Sequence, residues 1–130
     1  MKKEFSAMEL AREFFRTIEK EDAKYGAYLR LTKEAALTEA EHVDHRIADG
    51  EDVGLLAGVP FAVKDVILMK GEIVSGGSQI LSKYRASYDA TAVARLKEAG
   101  AVPLGYTNCD EFAMGSSTEN SSFQLTKNPH

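Results

Sequence analysis

Apolar positions recur at helical spacing through the first half of the chain and gather into short dense runs in the second. Ser6-Ala7-Met8-Glu9 has the form of a capping box, in which serine and glutamate side chains satisfy each other's backbone donors at a helix start. Leu10, Phe14 and Ile18, with Ala11 and Phe15 beside them, then return every three to four residues and predict an amphipathic helix. A short apolar cluster from Tyr25 to Leu31 leads to Thr32 and a second, longer helix with Ala36, Ala40, Val43 and Ile47 on one face. Gly50 is placed to end that helix in the left-handed conformation. Glu and Asp dominate the opposite faces, so the two helices read as a covering layer with a solvated outside.

After the linker Glu51 to Ala57 the texture changes. Val59 to Val63 combines β-branched and aromatic residues with Gly and Pro at its entry, which predicts a buried strand. Gly71, Gly76 and Gly77 mark irregular backbone, with the Gly76-Gly77-Ser78 stretch turning the chain beneath a helix start. Asp89 is placed to cap a helix whose buried stripe is Ala90, Val93, Ala94 and Leu96, and Gly100 ends it. Ala101 to Gly105 is a second strand, Asp110 to Met114 a short helix, and residues 115–122 a polar tract. Strand, helix, strand predicts a parallel unit with a right-handed crossover, and so an α/β fold. Residues 1–57 would form the helical layer and residues 58–130 the start of the α/β core. Two or three strands leave bare sheet edges, so the expectation is an incomplete domain.

Composition narrows the class. The 130 residues are 44% hydrophobic and 28% charged, ordinary for a globular domain. Met1-Lys-Lys-Glu4 leads into the first helix without a secretory apolar region, and no stretch approaches a membrane span, which predicts a cytoplasmic protein. The single cysteine, Cys109, excludes an internal disulfide and reads as a small semi-buried side chain. Residues 1–57 hold 9 Lys+Arg against 13 Asp+Glu, a net of −4, and residues 58–130 hold 7 against 7. An acidic helical face argues against this segment gripping a phosphate backbone by itself.

The candidate chemistry centres on Lys64, where the apolar run breaks off. Side chains alternate along a strand, so Val59, Phe61, Val63 and Asp65 share one side and Ala62 and Lys64 the other. Asp65 is therefore not the natural partner of its neighbour. A lysine at the end of a buried strand, beside a small alanine, would have little water around its ammonium, and desolvation turns a lysine into a usable base. The alternative is a lysine that reaches solvent along its stem. The tract Gly115 to Ser122 could point backbone N–H groups and hydroxyls into a pocket, or be a solvated surface loop. His42 and His45 lie three apart, a spacing open to metal chelation or to chance on an acidic helix. No G-x-S-x-G elbow and no Walker motif is present.

Leu56-Ala-Gly-Val-Pro-Phe-Ala-Val-Lys-Asp65, Tyr88-Asp-Ala-Thr91, Leu96-Lys-Glu-Ala-Gly-Ala-Val102, Thr107 to Ser121 and Thr126-Lys-Asn-Pro129 together resemble the amidase signature family. Within it, the string Ala113-Met-Gly-Ser-Ser-Thr-Glu-Asn-Ser121 is similar to the A-subunit branch of the glutamyl-tRNA(Gln)/aspartyl-tRNA(Asn) amidotransferases. The resemblance implies the N-terminal part of an α/β/α sandwich with a mixed sheet. It implies a Ser–Ser–Lys relay in which Lys64 is the base that takes a proton from a serine, which in turn activates the nucleophilic serine. Met114, Gly115 and Ser116 would border the amide pocket. Both serines belong to a Gly-Ser-rich tract that these 130 residues lack, so this segment alone is expected not to hydrolyse glutamine. The family role also implies sister B and C subunits and the substrate glutamine. Glu-tRNA(Gln) or Asp-tRNA(Asn) would be held mainly by a sister subunit, which uses ATP and Mg, with no cofactor or metal in this chain. Val66 stands where that branch usually has Asn, and Cys109 where Met is common. Two further expectations stay open beside this one: a stand-alone amidase of small amides, and a non-catalytic binding or assembly domain.

Overall fold

The computed structural model describes residues 5–130; the Met1–Glu4 start of the predicted amphipathic segment lies outside them. Helix α1 covers Ala7–Tyr25 and opens with the capping box in full, Ser6 Oγ accepting from the Glu9 amide and the Glu9 carboxylate accepting from the Ser6 amide. A second acid secures the same helix start. Asp44, from the second helix, accepts from the amides of Ala7 and Met8, each at 3.0 Å. These bonds satisfy donors that the helix's own ladder leaves free.

The buried stripe of α1 is Ala7, Ala11 and Phe15, with Ile18 partly covered, while Phe14 is exposed. That is one position off the expected stripe: the face that carries Ala7, Ala11 and Phe15 is the one packed against helix α2, Lys33–Ala48, and the sheet, and Asp44 of α2 bonds the start of the helix on the same side. On α2, Ala36, Ala40 and Val43 are buried as expected, and Ile47 at the last turn is exposed. The expected apolar cluster between the helices is strand β1, Tyr28–Leu31.

Strands β2, Pro60–Lys64, and β3, Val102–Thr107, are joined by helix α3, Thr91–Glu98. The sheet order is β1-β3-β2, with β2 parallel and β1 antiparallel to the central strand. The sheet is therefore mixed. The parallel register runs from Pro60 opposite Val102 to Lys64 opposite Thr107, with an irregularity that skips Leu104. Val102 and Leu104 join the cluster of α1 and α2, whereas Tyr106 joins a second cluster with Val63, Met69, Val74, Ala86 and Val93. The bulge thus lets one strand serve two cores.

Two expected details change. Asp89 does not cap α3, whose N-cap is Ala90 without a side-chain bond. Asp89 instead accepts from the Lys70 amide at 2.7 Å and pairs with Lys97 at 3.1 Å. Burial alone would raise its carboxyl, but those donors hold it below the usual value. The expected short helix after β3 is a single 3-10 turn, Glu111–Ala113. Among the described residues no helix is long and apolar enough to cross a membrane.

Candidate active site

Lys64 is the last residue of β2, an edge strand, and it is exposed. The alternation along β2 is as expected: Val63 and Asp65 are buried, Ala62, Lys64 and Val66 are not. The expected dry corner around the amine is absent among the described residues. The physical reason is that no element from 5 to 130 covers the Ala62–Lys64 face, so only the Val63–Asp65 side is packed. The strand is half-buried rather than buried.

The buried side holds a carboxylate centre. Asp65 is fully buried, and its Oδ1 accepts from Arg30 Nη2 of β1 and from the Ser75 amide at 3.2 Å. Its Oδ2 accepts from Ser75 Oγ and from the Gly77 amide at 3.1 Å. The main chain is fixed as well: the Asp65 amide donates to Thr107 O at 3.0 Å, and its carbonyl accepts from the Gly76 amide at 2.8 Å. Arg30 also donates to Ile73 O at 3.1 Å and lies 5.0 Å from the centre of the Tyr106 ring. A buried carboxylate with four donors, one of them a guanidinium, is a fully satisfied charge, the condition under which burial is tolerated. Tyr106 is itself pushed up to about 12, chiefly by burial and then by the Glu72 charge, and stays neutral.

The Ser75–Ser78 turn carries this centre to the polar tract. Gly76 O accepts from the Phe112 amide at 2.6 Å and Gly77 O from the Ser122 amide at 2.9 Å. Ser78 Oγ donates to Glu111 at 2.5 Å. The expected chain reversal at Gly76-Gly77 is present, leading into a 3-10 turn at Gln79–Leu81, and it is also the joint between Lys64's strand and the Gly115 loop.

Met114, Gly115 and Ser116 are all exposed, Met114 at 75%. The N–H groups of their loop turn inward to an internal anion. Asp110, almost fully buried, accepts from the amides of Ser117, Thr118 and Asn120 at 2.9–3.1 Å. The Asn120 and Thr118 amides hold this carboxyl below the usual range. Gly115 passes so close that a β-carbon would stand 2.5 Å from Asp110 Cγ. Phe112, Ala113 and Thr118 hold left-handed backbone at φ 54°, 59° and 64°, a conformation that costs about 1 kcal/mol or more per non-glycine residue. The loop is thus held in shape against local preference.

Cys109, between β3 and Asp110, is buried, and its thiol is raised first by burial and then by the Asp65 charge, with Lys64 pulling the other way. Lys64, Asp65 and Cys109 are therefore within electrostatic reach of one another. The tail is strapped to the far side: Asn108 Nδ2 donates to Gln124 O, and Gln124 Nε2 and Thr126 Oγ1 donate to Gly26 O, each at 2.8 Å. His42 and His45 are exposed on α2 and far from any such joint. Among the described residues no three His, Cys, Asp or Glu side chains group as a metal site.

The Amidase family profile matches residues 9–130. The chain belongs to the amidase family. It is 55% identical over 127 residues to the A subunit of the glutamyl-tRNA(Gln) amidotransferase of Gloeobacter violaceus, a match taking in 98% of this chain and 26% of that protein. A solved structure of the A subunit of the Thermotoga maritima glutamyl-tRNA(Gln) amidotransferase superposes with a TM-score of 0.75 at 36% identity, over 95% of this chain and 24% of that one. A bacterial aryl acylamidase of the amidase signature family superposes with a TM-score of 0.93 at 29% identity, over 98% and 27%. This amidase-family chain thus spans about a quarter of the curated relatives it matches.

Asp65, Arg30 and Asp110 organise the buried hydrogen bonds beside Lys64 and the Gly115 loop, and the sequence did not single them out as site residues. A signal existed for Asp65: strand alternation puts its carboxylate on the core side, where it must find a cation or donors. Nothing local marks Arg30 as its partner, because the two are 35 residues apart.

Proposed function

We propose that this chain is the N-terminal part of the glutaminase (A) subunit of a cytoplasmic tRNA-dependent amidotransferase. In this reading the enzyme releases ammonia from glutamine. The sister B and C subunits use it, with ATP and Mg, to convert Glu-tRNA(Gln) or Asp-tRNA(Asn) to the amidated form. Lys64 is the base, Met114, Gly115 and Ser116 border the amide pocket, and further polypeptide supplies the two serines of the relay. The neutral Lys64 amine takes a proton from the first serine, which takes one from the nucleophile. The nucleophile attacks the amide carbon, the relay returns the proton to the nitrogen so that it leaves as ammonia, and water, deprotonated through the same relay, releases the acyl group and restores the serine hydroxyl. Exposure of Lys64 here fits that division, because packing of the serine-bearing segment over the Ala62–Lys64 face would remove water from the amine.

The reading is carried by the joint at Ser75–Ser78, which ties the strand end bearing Lys64 to the loop bearing Met114–Ser116 through backbone bonds on both sides. A base and a pocket wall need such fixed separation, since small misplacements cost large factors in rate. The test is Lys64→Met in the gene-length protein. Glutaminase activity should fall by about a thousandfold or more with an unchanged circular dichroism spectrum. A rate within a factor of two of the parent removes Lys64 from the mechanism. A downstream reading frame without a Gly-Ser-rich tract removes the whole reading.

A stand-alone amidase is the second reading, supported by the higher TM-score with the aryl acylamidase, 0.93 against 0.75. Full-speed hydrolysis of small aryl amides by the protein without its sister chains would favour it. Stimulation of glutaminase activity by acylated tRNA together with the B and C subunits would exclude it.

A further inference from the structure

Lys64 ends β2 and Asp65 follows it with its side chain on the opposite, buried face, and the groups around them have a particular charge balance. From the position just after β2 comes Asp65, fully buried; from β1 comes Arg30, 27% exposed and paired with it. From β3 come Tyr106, neutral because burial pushes its hydroxyl up to about 12, and the uncharged Thr107 opposite Lys64. From the segment after β3 come Cys109, kept a thiol by burial, and Asp110, an anion whose charge is held by three amides. The Ser75–Ser78 turn contributes only amides and hydroxyls to the carboxylate. The one strong pair of opposite charges behind Lys64, among the described residues, is Arg30 and Asp65.

We propose that the Arg30–Asp65 pair is a positioning and charge-balancing device for Lys64. It pins the end of β2, and it presents the amine with a balanced ion pair rather than a lone buried charge. The mechanical half follows from the bonds. Asp65 is fixed through its amide, carbonyl and both carboxylate oxygens, so the backbone preceding it, which carries Lys64, has no freedom to rotate. The electrostatic half follows from the sign of what is left when either partner goes. Loss of the Asp65 charge leaves the Arg30 cation, which disfavours a second cation at Lys64. Loss of Arg30 leaves the Asp65 anion, which favours one. In partly wet protein a unit charge at a separation of about 8–10 Å moves the titration of an amine by about half a pH unit, which sets the size of effect to look for. Arg30 and Asp65 touch no substrate in this account. Their significance for catalysis rests on the reading that Lys64 is a base, but their effect on its proton does not.

The experiment reads the Lys64 amine directly in the gene-length protein, by NMR titration with 13Cε-labelled lysine, the signal being assigned by its absence in Lys64→Arg. In low salt, Asp65→Asn should move the Lys64 titration to lower pH by about half a unit, and Arg30→Met should move it to higher pH by a similar amount. Arg30→Lys keeps the charge and should restore the parent titration. The double variant should lie between the single ones. Both single-variant shifts should shrink at about 1 M salt. Shifts of the same sign in both variants, or no shift in either, overturn the proposal. If Asp65→Asn does not fold, the comparison of Arg30→Met with Arg30→Lys decides by itself, and equal titrations there overturn it. In the gene-length protein, the acid limb of the glutaminase pH profile should follow the same two directions. Opposite NMR shifts with an unmoved pH profile would leave this proposal standing and sink the assignment of Lys64 as the base.

Discussion

Gly77 lies against the carbonyl of Cys109, so closely that a β-carbon on Gly77 would stand 2.5 Å from that oxygen. Its φ of +68° excludes side chains a second time. The contact joins the turn that binds Asp65 to the segment entering the Gly115 loop, and there is no flexible side chain on either side to give way.

Gly77→Ala should therefore destabilise the chain by about 2–4 kcal/mol, the sum of a left-handed alanine and a steric clash with backbone. Urea denaturation checks the value. A loss below about 0.5 kcal/mol, on the order of an ordinary surface substitution, would mean that the turn moves freely against Cys109.

Asp110→Asn should loosen the loop without unfolding the domain. Asparagine keeps one acceptor oxygen and sets an NH2 group against amides that also donate. Hydrogen exchange at Ser117, Thr118 and Asn120 should rise roughly tenfold or more while the β3 amides stay protected. Uniform protection across the loop would show that the fold, not the carboxylate, shapes it.

The same carboxylate gives the loop a pH dependence of known sign. Its folded value lies below the unbound value of 3.8, held there by the Asn120 and Thr118 amides. Its contribution is therefore complete above pH 3.8 and is lost as pH falls through the lowered value. Exchange rates corrected for intrinsic chemistry should hold steady from about pH 6 to about pH 4 and rise below that. A rise already near about pH 5 would point to a different group.

Asp44→Ala removes the acceptor of two amides at the start of α1, and should cost about 1–2 kcal/mol. Ser6→Ala, on the exposed side of the same helix start, should cost less. Thermal melts of the two variants give the order, and a larger loss at Ser6 would contradict the role of Asp44.

Phe15→Ala should be the most damaging of these changes, at about 3–5 kcal/mol, because Phe15 is wholly buried between α1, α2 and the sheet. Loss of the cooperative transition is the extreme form of the same outcome; a change under about 1 kcal/mol would mean that the helices pack loosely.

The sequence by itself determined the local elements whose cause is local. The Ser6–Glu9 box, the small-residue stripe of α2, the parallel pair around α3 and the alternation that separates Lys64 from Asp65 all follow from spacing and residue type. So did the resemblance to the amidase family, which rests on strings of adjacent residues. What only the tertiary structure decided is who meets whom across the chain. The stripe of α1 lies one position from the expected one because burial is set by the α2 and β3 residues packed on it, and Asp44, 36 residues away, bonds its first turn. The Tyr28–Leu31 strand exists because β3 offers an antiparallel edge, which four residues cannot announce alone. Asp65 met Arg30, and the glycine turn met both the carboxylate and the Gly115 loop. Whether Lys64 is dry could not be read from its own strand, because an edge strand is covered or bare according to what packs on it. Periodicity reports which face a residue takes, whereas desolvation and charge pairing depend on distant segments brought within a few ångströms.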